Sequence, residues 1–258
     1  MKIGVVGLGL IGGSIFKALI NKYDVVGVEP SPQPSPLERG RITDDYFELK
    51  TCDIVFVCTP MGITLEVLEK LDNILPETAI VTDVCSLKGF LTHKKYKFKF
   101  IPSHPMAGTE HSGWENSFPE LFKGAKWVIT PIDGKVLNEQ EVLEGVIEST
   151  GAQVVITTPE EHDKAVALIS HMPLIIAQAL CENIKDNKLA QTLASSGFRD
   201  TTRLALSNTQ MANDMVTLNK ENIEVSLECL RDCIDLLLNS DYLEKSKNIK
   251  TFRENLYL

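Results

Sequence analysis

Several things are scarce in this 258-residue sequence, and each scarcity removes a class of protein. No two of its six cysteines form a CxxC pair; they stand at positions 52, 58, 85, 181, 229 and 233. That scatter fits buried reduced thiols in a cytoplasmic protein better than a disulfide framework, and no metal site is expected. Basic charge is in deficit, with 26 Lys and Arg against 35 Asp and Glu and a formal charge of −9. A phosphate backbone repels such a chain, so nucleic acid is not an expected partner. No uninterrupted apolar run reaches the roughly 18 residues of a membrane span, and no membrane partner is expected. Lys2 followed by Ile3 to Phe16 imitates a secretory leader, but five glycines interrupt it and no Ala-x-Ala-like site follows. The 16 glycines and 12 prolines are too few for collagen-like or low-complexity classes. What remains is an ordinary globular mix, 43% hydrophobic and 24% charged, with length for about two domains.

The first part of the chain alternates short apolar runs with helical periodicity. Strands are expected at 2–7, 24–28, 53–58, 79–83, 98–103, 126–130 and 152–157, with helices at 8–22, 62–72 and 138–150. Short buried strands alternating with helices mean an α/β Rossmann-type domain with a mostly parallel, doubly wound sheet. Four prolines in Glu29-Pro-Ser-Pro-Gln-Pro-Ser-Pro36 predict a rigid surface loop, with any helix starting near Leu37. After about residue 158 the strand signals stop. Helical patterns cover 160–184, with a kink expected at Pro173, then 187–196, 209–219 and 221–240. The expected organisation is a nucleotide-binding domain over 1–157 and an all-α domain over 158–258. Ile223, Leu227, Leu230, Ile234 and Leu237 form an apolar seam, read either as burial within the chain or as a dimer interface.

Ligands of open α/β sheets bind beyond the carboxyl ends of the strands, so the residues there carry the functional reading. After the first strand comes Gly7-Leu8-Gly9-Leu10-Ile11-Gly12, a glycine turn that opens a helix. Gly7 permits the tight turn, Gly9 lets a pyrophosphate approach the backbone, and Gly12 lets helix and sheet pack closely. Leu10 and Ile11 supply N–H groups at the helix N-terminus. Glu29 ends the second strand, where a carboxylate takes ribose hydroxyls and repels a 2′-phosphate; NAD is therefore expected over NADP. Thr59 and Pro60 follow the third strand, as a plain turn or as a cofactor contact. Ser86 follows the fourth, as a hydrogen-bonding group or as a helix cap. His104 ends the fifth and is the candidate general base, all five chemistries being expected on one rim. In the second half, Arg199-Asp200-Thr-Thr-Arg203 sets two guanidinium groups four residues apart. That suits an anionic substrate, while Asp200 pairing with Arg203 is the purely structural reading.

Taken together, GLGLIGGS (7–14), CTP (58–60), DVCSLK (83–88), SHPMAGTEHSG (103–113), EEHDKAVALISHMP (160–173) and GFRDTTRLA (197–205) resemble the prephenate dehydrogenase family. The resemblance implies a Rossmann domain followed by a helical domain that forms a homodimer through its C-terminal helices. It implies NAD(P)-dependent oxidative decarboxylation of prephenate to 4-hydroxyphenylpyruvate on the route to tyrosine. It makes His104 the histidine on the ring C4 hydroxyl and Ser86 its assistant. Arg203 becomes the ligand of a substrate carboxylate and Glu110 a loop residue at the substrate entrance, with Asp200 and His171 supporting the pocket. Leu174 stands where many relatives carry the second His of SHxPH, and Ala212 near the place of a Trp, which bears on side-chain selectivity between prephenate and arogenate. The chain opens on its nucleotide-binding strand, so neither a chorismate mutase domain before it nor a regulatory domain after it is expected. Two other readings compete. A β-hydroxyacid dehydrogenase would need a helical lysine, for which Lys164 lacks the surrounding pattern. A silent NAD sensor would not need Ser86, His104 and Arg203 together.

Overall fold

The computed structural model describes residues 1–29, 41–109, 111–132 and 138–256; the proline-rich segment and the helix start expected near Leu37 lie outside them. Six parallel strands form the main sheet in the order β3-β2-β1-β4-β5-β6. They are β1 (Lys2–Val6), β2 (Asp24–Val28), β3 (Arg41–Thr43), β4 (Ile54–Val57), β5 (Ile80–Asp83) and β6 (Lys99–Phe100). The alternation of side chains along each strand divides the core in two. Ile3, Val5, Ile54 and Phe56 face one way, against Ile15, Phe16 and Leu19 of helix α1 (Leu10–Leu19) and Leu143 and Val146 of helix α3 (Asn138–Glu148). Val6, Val55, Val57 and Val81 face the other way, against Leu68 and Leu71 of helix α2 (Met61–Asp72). Val166, Leu174, Ala212 and Met215 of the helical part join this second cluster, so the two halves share one core.

The expected fifth strand is broken in two. Ile101 N–H still donates to Val81 O at 2.9 Å, but Pro102 has no N–H to continue the ladder. Ser103 N–H turns to the Asp83 carboxylate at 3.2 Å instead. Residues Ser103–Pro105 then leave as β7 for a second sheet, antiparallel to β8 (Lys126–Ile129), which is itself parallel to β9 (Gln153–Ile156). The last two expected strands therefore extend this small sheet and not the main one.

Helices α4 (Pro159–Val166) and α5 (Met172–Asn183) are joined by a π-helical turn, Ala167–His171. The regular helix is interrupted just before Pro173. This proline lies in the first turn of α5, after the wide turn in which Met172 N–H reaches back five residues to Ala167 O. The 25-residue stretch Pro159–Asn183 is long and apolar enough on average to cross a membrane, although polar residues interrupt every apolar run. His171, Ala167, Leu174 and Ala177 on it are buried within the chain, and 28% of the stretch is buried in all. There follow α6 (Lys188–Leu193), α7 (Ser196–Thr201), a 3-10 turn Arg203–Leu206, α8 (Thr209–Leu218), α9 (Lys220–Leu238) and α10 (Tyr242–Asn255). The seam on α9 is buried only at Ile223; Leu227, Leu230 and Leu237 are half-buried and Ile234 is 46% exposed. Among the described residues, only Ile223 of that stripe is fully covered. Helix α10 was not expected, because its polar sequence shows no strong stripe; Asp241 caps it through Leu243 N–H and Glu244 N–H.

Candidate active site

The glycine turn has the geometry expected of each glycine. Gly7 has φ +84°, and a Cβ there would stand 2.9 Å from Cys58 O. A Cβ on Gly12 would fall 1.9 Å from Gly7 O. A Cβ on Gly9 would meet nothing within 4 Å, so this glycine is not required by the protein's own packing. Gly9 caps α1 with no side-chain hydrogen bond and no acid in the first turn, which leaves the amides of Leu10 and Ile11 to an anion. Glu29 Oε2 accepts the Leu8 N–H at 2.7 Å, which ties the second strand's carboxylate to the same turn. Thr59 turns its hydroxyl inward to Thr64 at 3.2 Å, and Pro60 is exposed at the start of α2. These residues form an open cradle suited to a dinucleotide's pyrophosphate.

A polar network begins where the main sheet ends. His104 is the middle residue of β7, paired with Val128, and so does not stand at a strand end on the main rim. The switch of sheets at Pro102 moves it there. Its Nδ1 lies 3.0 Å from His162 Nε2, and His162 Nδ1 lies 2.8 Å from Asp163 Oδ1. Asp163 in turn accepts Lys88 N–H at 2.9 Å and Gly89 N–H at 2.8 Å. Asn219 donates its side-chain amide to Asp163 O at 2.9 Å and lies 3.1 Å from His171 Nδ1. The Lys88 ammonium is fully buried against Asp83 and also donates to Ser103 O at 2.5 Å, one residue before the imidazole. Thr82 and Trp127 both donate to Ser103 Oγ, at 2.8 and 2.9 Å.

This setting decides charge. Burial, then the Lys88 ammonium and the rings of His162 and His171, hold His104 well below the usual histidine range. Burial lowers His171 to about 4 against the opposing pull of Asp163. Both rings are therefore neutral near pH 7. His171 is fully buried, and its Nε2 has no partner among the described residues.

The remaining expected residues are placed less centrally. Ser86 is half-buried and donates to Met61 Sδ at 3.4 Å; it caps no helix, because only a 3-10 turn at Gly89–Leu91 follows. Arg203 is exposed and has no hydrogen-bond partner among the described residues, while Leu204 beside it joins Val166 and Leu174 in the shared core. Asp200 pairs with Arg199 at 3.3 Å on the surface and not with Arg203. The two arginines share no helix face, because α7 ends at Thr201 and the chain tightens into the 3-10 turn. Glu110 lies outside the described residues. A surface cavity of about 290 Å³, lined by Ala18, Lys22 and Lys123, shares no residue with this site. Sequence reasoning missed His162, Asp163, Lys88 and Asn219. The available signal was the placement of His162 and Asp163 four residues before Val166 and Ala167, two polar groups on the buried stripe of a helix.

Comparison with known proteins adds names to this geometry. Residues 37–156 match the nucleotide-binding domain of prephenate dehydrogenase, and residues 158–255 its dimerization domain. A prephenate dehydrogenase of Bacillus subtilis (strain 168) is 33% identical over 84% of this chain, and the alignment takes in 64% of that relative's length. Among solved structures, Synechocystis arogenate dehydrogenase is 35% identical with a TM-score of 0.84, covering 100% of both chains. A prephenate dehydrogenase from A. aeolicus, in complex with hydroxyphenyl propionate and NAD+, is 27% identical with a TM-score of 0.88, covering 99% of this chain and 98% of that one.

Proposed function

We propose, because the chain belongs to the prephenate dehydrogenase family, that it oxidatively decarboxylates prephenate to 4-hydroxyphenylpyruvate with NAD. The observation that carries the reading is a neutral imidazole, His104, on a strand beside the nucleotide domain, held by groups from both halves of the chain. When bound, the dinucleotide is the two-electron acceptor for the hydrogen that leaves ring C4. Gly7, Gly9, Leu10, Ile11 and Gly12 cradle its pyrophosphate, Glu29 faces its ribose, and Thr59 and Pro60 border the site. His104 takes the proton of the C4 hydroxyl as that carbon is oxidised. Once the ring carboxylate has left as CO2, His104 returns the proton to the phenolic oxygen. Ser86 hydrogen-bonds the same oxygen. Arg203 grips a substrate carboxylate, with Glu110, Asp200 and His171 around the pocket. The half-covered stripe on α9 fits a homodimer through the C-terminal helices.

Arogenate is the second substrate reading, favoured by the likeness to the Synechocystis enzyme. The test follows reduced nicotinamide at its absorbance band with NAD and either substrate. Turnover of prephenate supports the main reading and turnover of arogenate alone the second. No turnover of either overturns both. His104→Asn should lower kcat at least ~10²-fold with KM largely kept.

A further inference from the structure

The hydrogen bonds around His104 run in one direction. Asp163 receives two backbone N–H groups, from Lys88 and Gly89, and holds His162 Nδ1 at 2.8 Å. A carboxylate in this role only accepts, so the proton sits on His162 Nδ1. In the neutral ring, His162 Nε2 is then a lone pair. The atom it faces at 3.0 Å, His104 Nδ1, must donate. With Nδ1 occupied, the lone pair of neutral His104 lies on Nε2, the end away from the protein network.

We propose that His162 and Asp163 are positioning residues that fix His104 in the Nδ1–H tautomer, so that Nε2 is the accepting atom. The inference rests on the assignment of His104 as the base. His104 belongs to β7, while the two residues that set it ride on α4 of the helical half, and the amides of Lys88 and Gly89 fasten Asp163 back to the nucleotide half. The tautomer is thus a property of the docked pair of domains. After Nε2 takes the substrate's proton, the Nδ1 proton can move to His162 Nε2, which puts the positive charge beside the Asp163 carboxylate. The charged and polar groups that act on the rings are Asp163, Lys88, which is itself paired with Asp83, His171 and Asn219.

Asp163→Asn is the sharp perturbation. It is nearly isosteric; with its oxygen kept on Gly89 N–H, its amide takes the place of Oδ1, donates to His162 Nδ1 and gives up the bond from Lys88 N–H, which shares that atom. That reverses every bond in the chain and leaves His104 protonated on Nε2. Nitrogen-15 histidine spectra of the whole protein should report His104 as Nδ1–H in the wild type and Nε2–H in the variant. The variant's kcat should fall at least ~10²-fold with KM little changed. A wild-type His104 protonated on Nε2, or a variant that switches tautomer yet keeps kcat within about twofold of wild type, overturns the proposal. If Asp163→Asn does not fold, or keeps its oxygen toward His162 and the tautomer with it, His162→Gln and His162→Phe decide. The Gln oxygen replaces Nε2 as acceptor and should keep kcat within about tenfold, while Phe should lose at least ~10². Equal losses overturn the relay. A wild type that oxidises neither prephenate nor arogenate removes the functional reading, and the spectra still decide the tautomer.

Discussion

Lys88→Met tests the network at its most loaded point. Lys88 and Asp83 are both fully buried, and the ammonium is the only full positive charge paired with that carboxylate among the described residues. With methionine at 88, Asp83 keeps Cys85 N–H at 2.8 Å and Ser103 N–H at 3.2 Å but loses its counter-ion. Breaking one side of a buried ion pair costs about 3–5 kcal/mol, a large share of a total stability of about 5–15. At about 2–4 °C per kcal/mol for a chain of this size, Tm should fall by roughly 10 °C. The double variant Lys88→Met/Asp83→Asn removes the stranded charge and should recover about half the loss, since the remaining amide oxygen still accepts one N–H. Paired urea and thermal unfolding of wild type, single and double variants measures this. A single-variant loss below about 1 kcal/mol would show that Asp83 is hydrated or protonated and refute the burial argument. The same substitution removes a cation that holds His104 neutral, so the acid limb of kcat/KM should move to higher pH.

Gly9→Ala has room for its Cβ within the protein, so Tm should be kept while calorimetric NAD affinity falls at least ~10-fold; equal affinity would remove the pyrophosphate from that spot. Glu29→Ser should erode the preference for NAD over NADP in steady-state kinetics, and an unchanged ratio excludes the carboxylate from the ribose. Stability should fall on acidification. The unfolded His171 titrates near 6.5 and the folded one near 4, so between those pH values the unfolded chain binds the extra proton. The loss by pH 4 is about 3 kcal/mol from this group, and His104 adds to it in the same direction. Urea midpoints across that window should show His171→Gln losing part of the slope; an identical slope refutes the assignment.

The nucleotide half was legible because its signals are local. Buried strands such as Ile54–Val57 are continuous apolar runs, and Gly7, Gly9 and Gly12 each meet a steric demand set within a few residues or by the adjacent strand. The break at Pro102 was also written locally, as a residue that cannot donate, but which acceptor would capture Ser103 N–H depended on Asp83, 20 residues away. In the helical half the local signals are periodicity and the charges of Arg199 and Arg203. His162 and Asp163 acquire partners 58 and 75 residues distant, and no local pattern specifies such pairings. The charge of Arg203 is legible in the sequence, yet in the single chain the residue is exposed, and whatever completes its surroundings is not written in the neighbouring sequence.

The segment after β5 explains why the base sits where it does. A parallel crossover usually carries a helix, whose amides would be consumed by its own ladder. Between Asp83 and Lys99 this chain forms only the 3-10 turn Gly89–Leu91. Its amides are thereby free to serve carboxylates: Cys85 N–H goes to Asp83, and Lys88 and Gly89 N–H to Asp163. Lys88 does both jobs at once, with its ammonium on Asp83 and Ser103 and its backbone on the helical half. A Cβ at Gly89 would stand 2.9 Å from Asp163 Oδ2, so the absence of a side chain there is part of the same fit. Forgoing a regular helix at this strand end couples the sheet terminus, the histidine strand and the second domain through one residue. That coupling makes the imidazole's protonation state a consequence of domain docking and not of β7 alone.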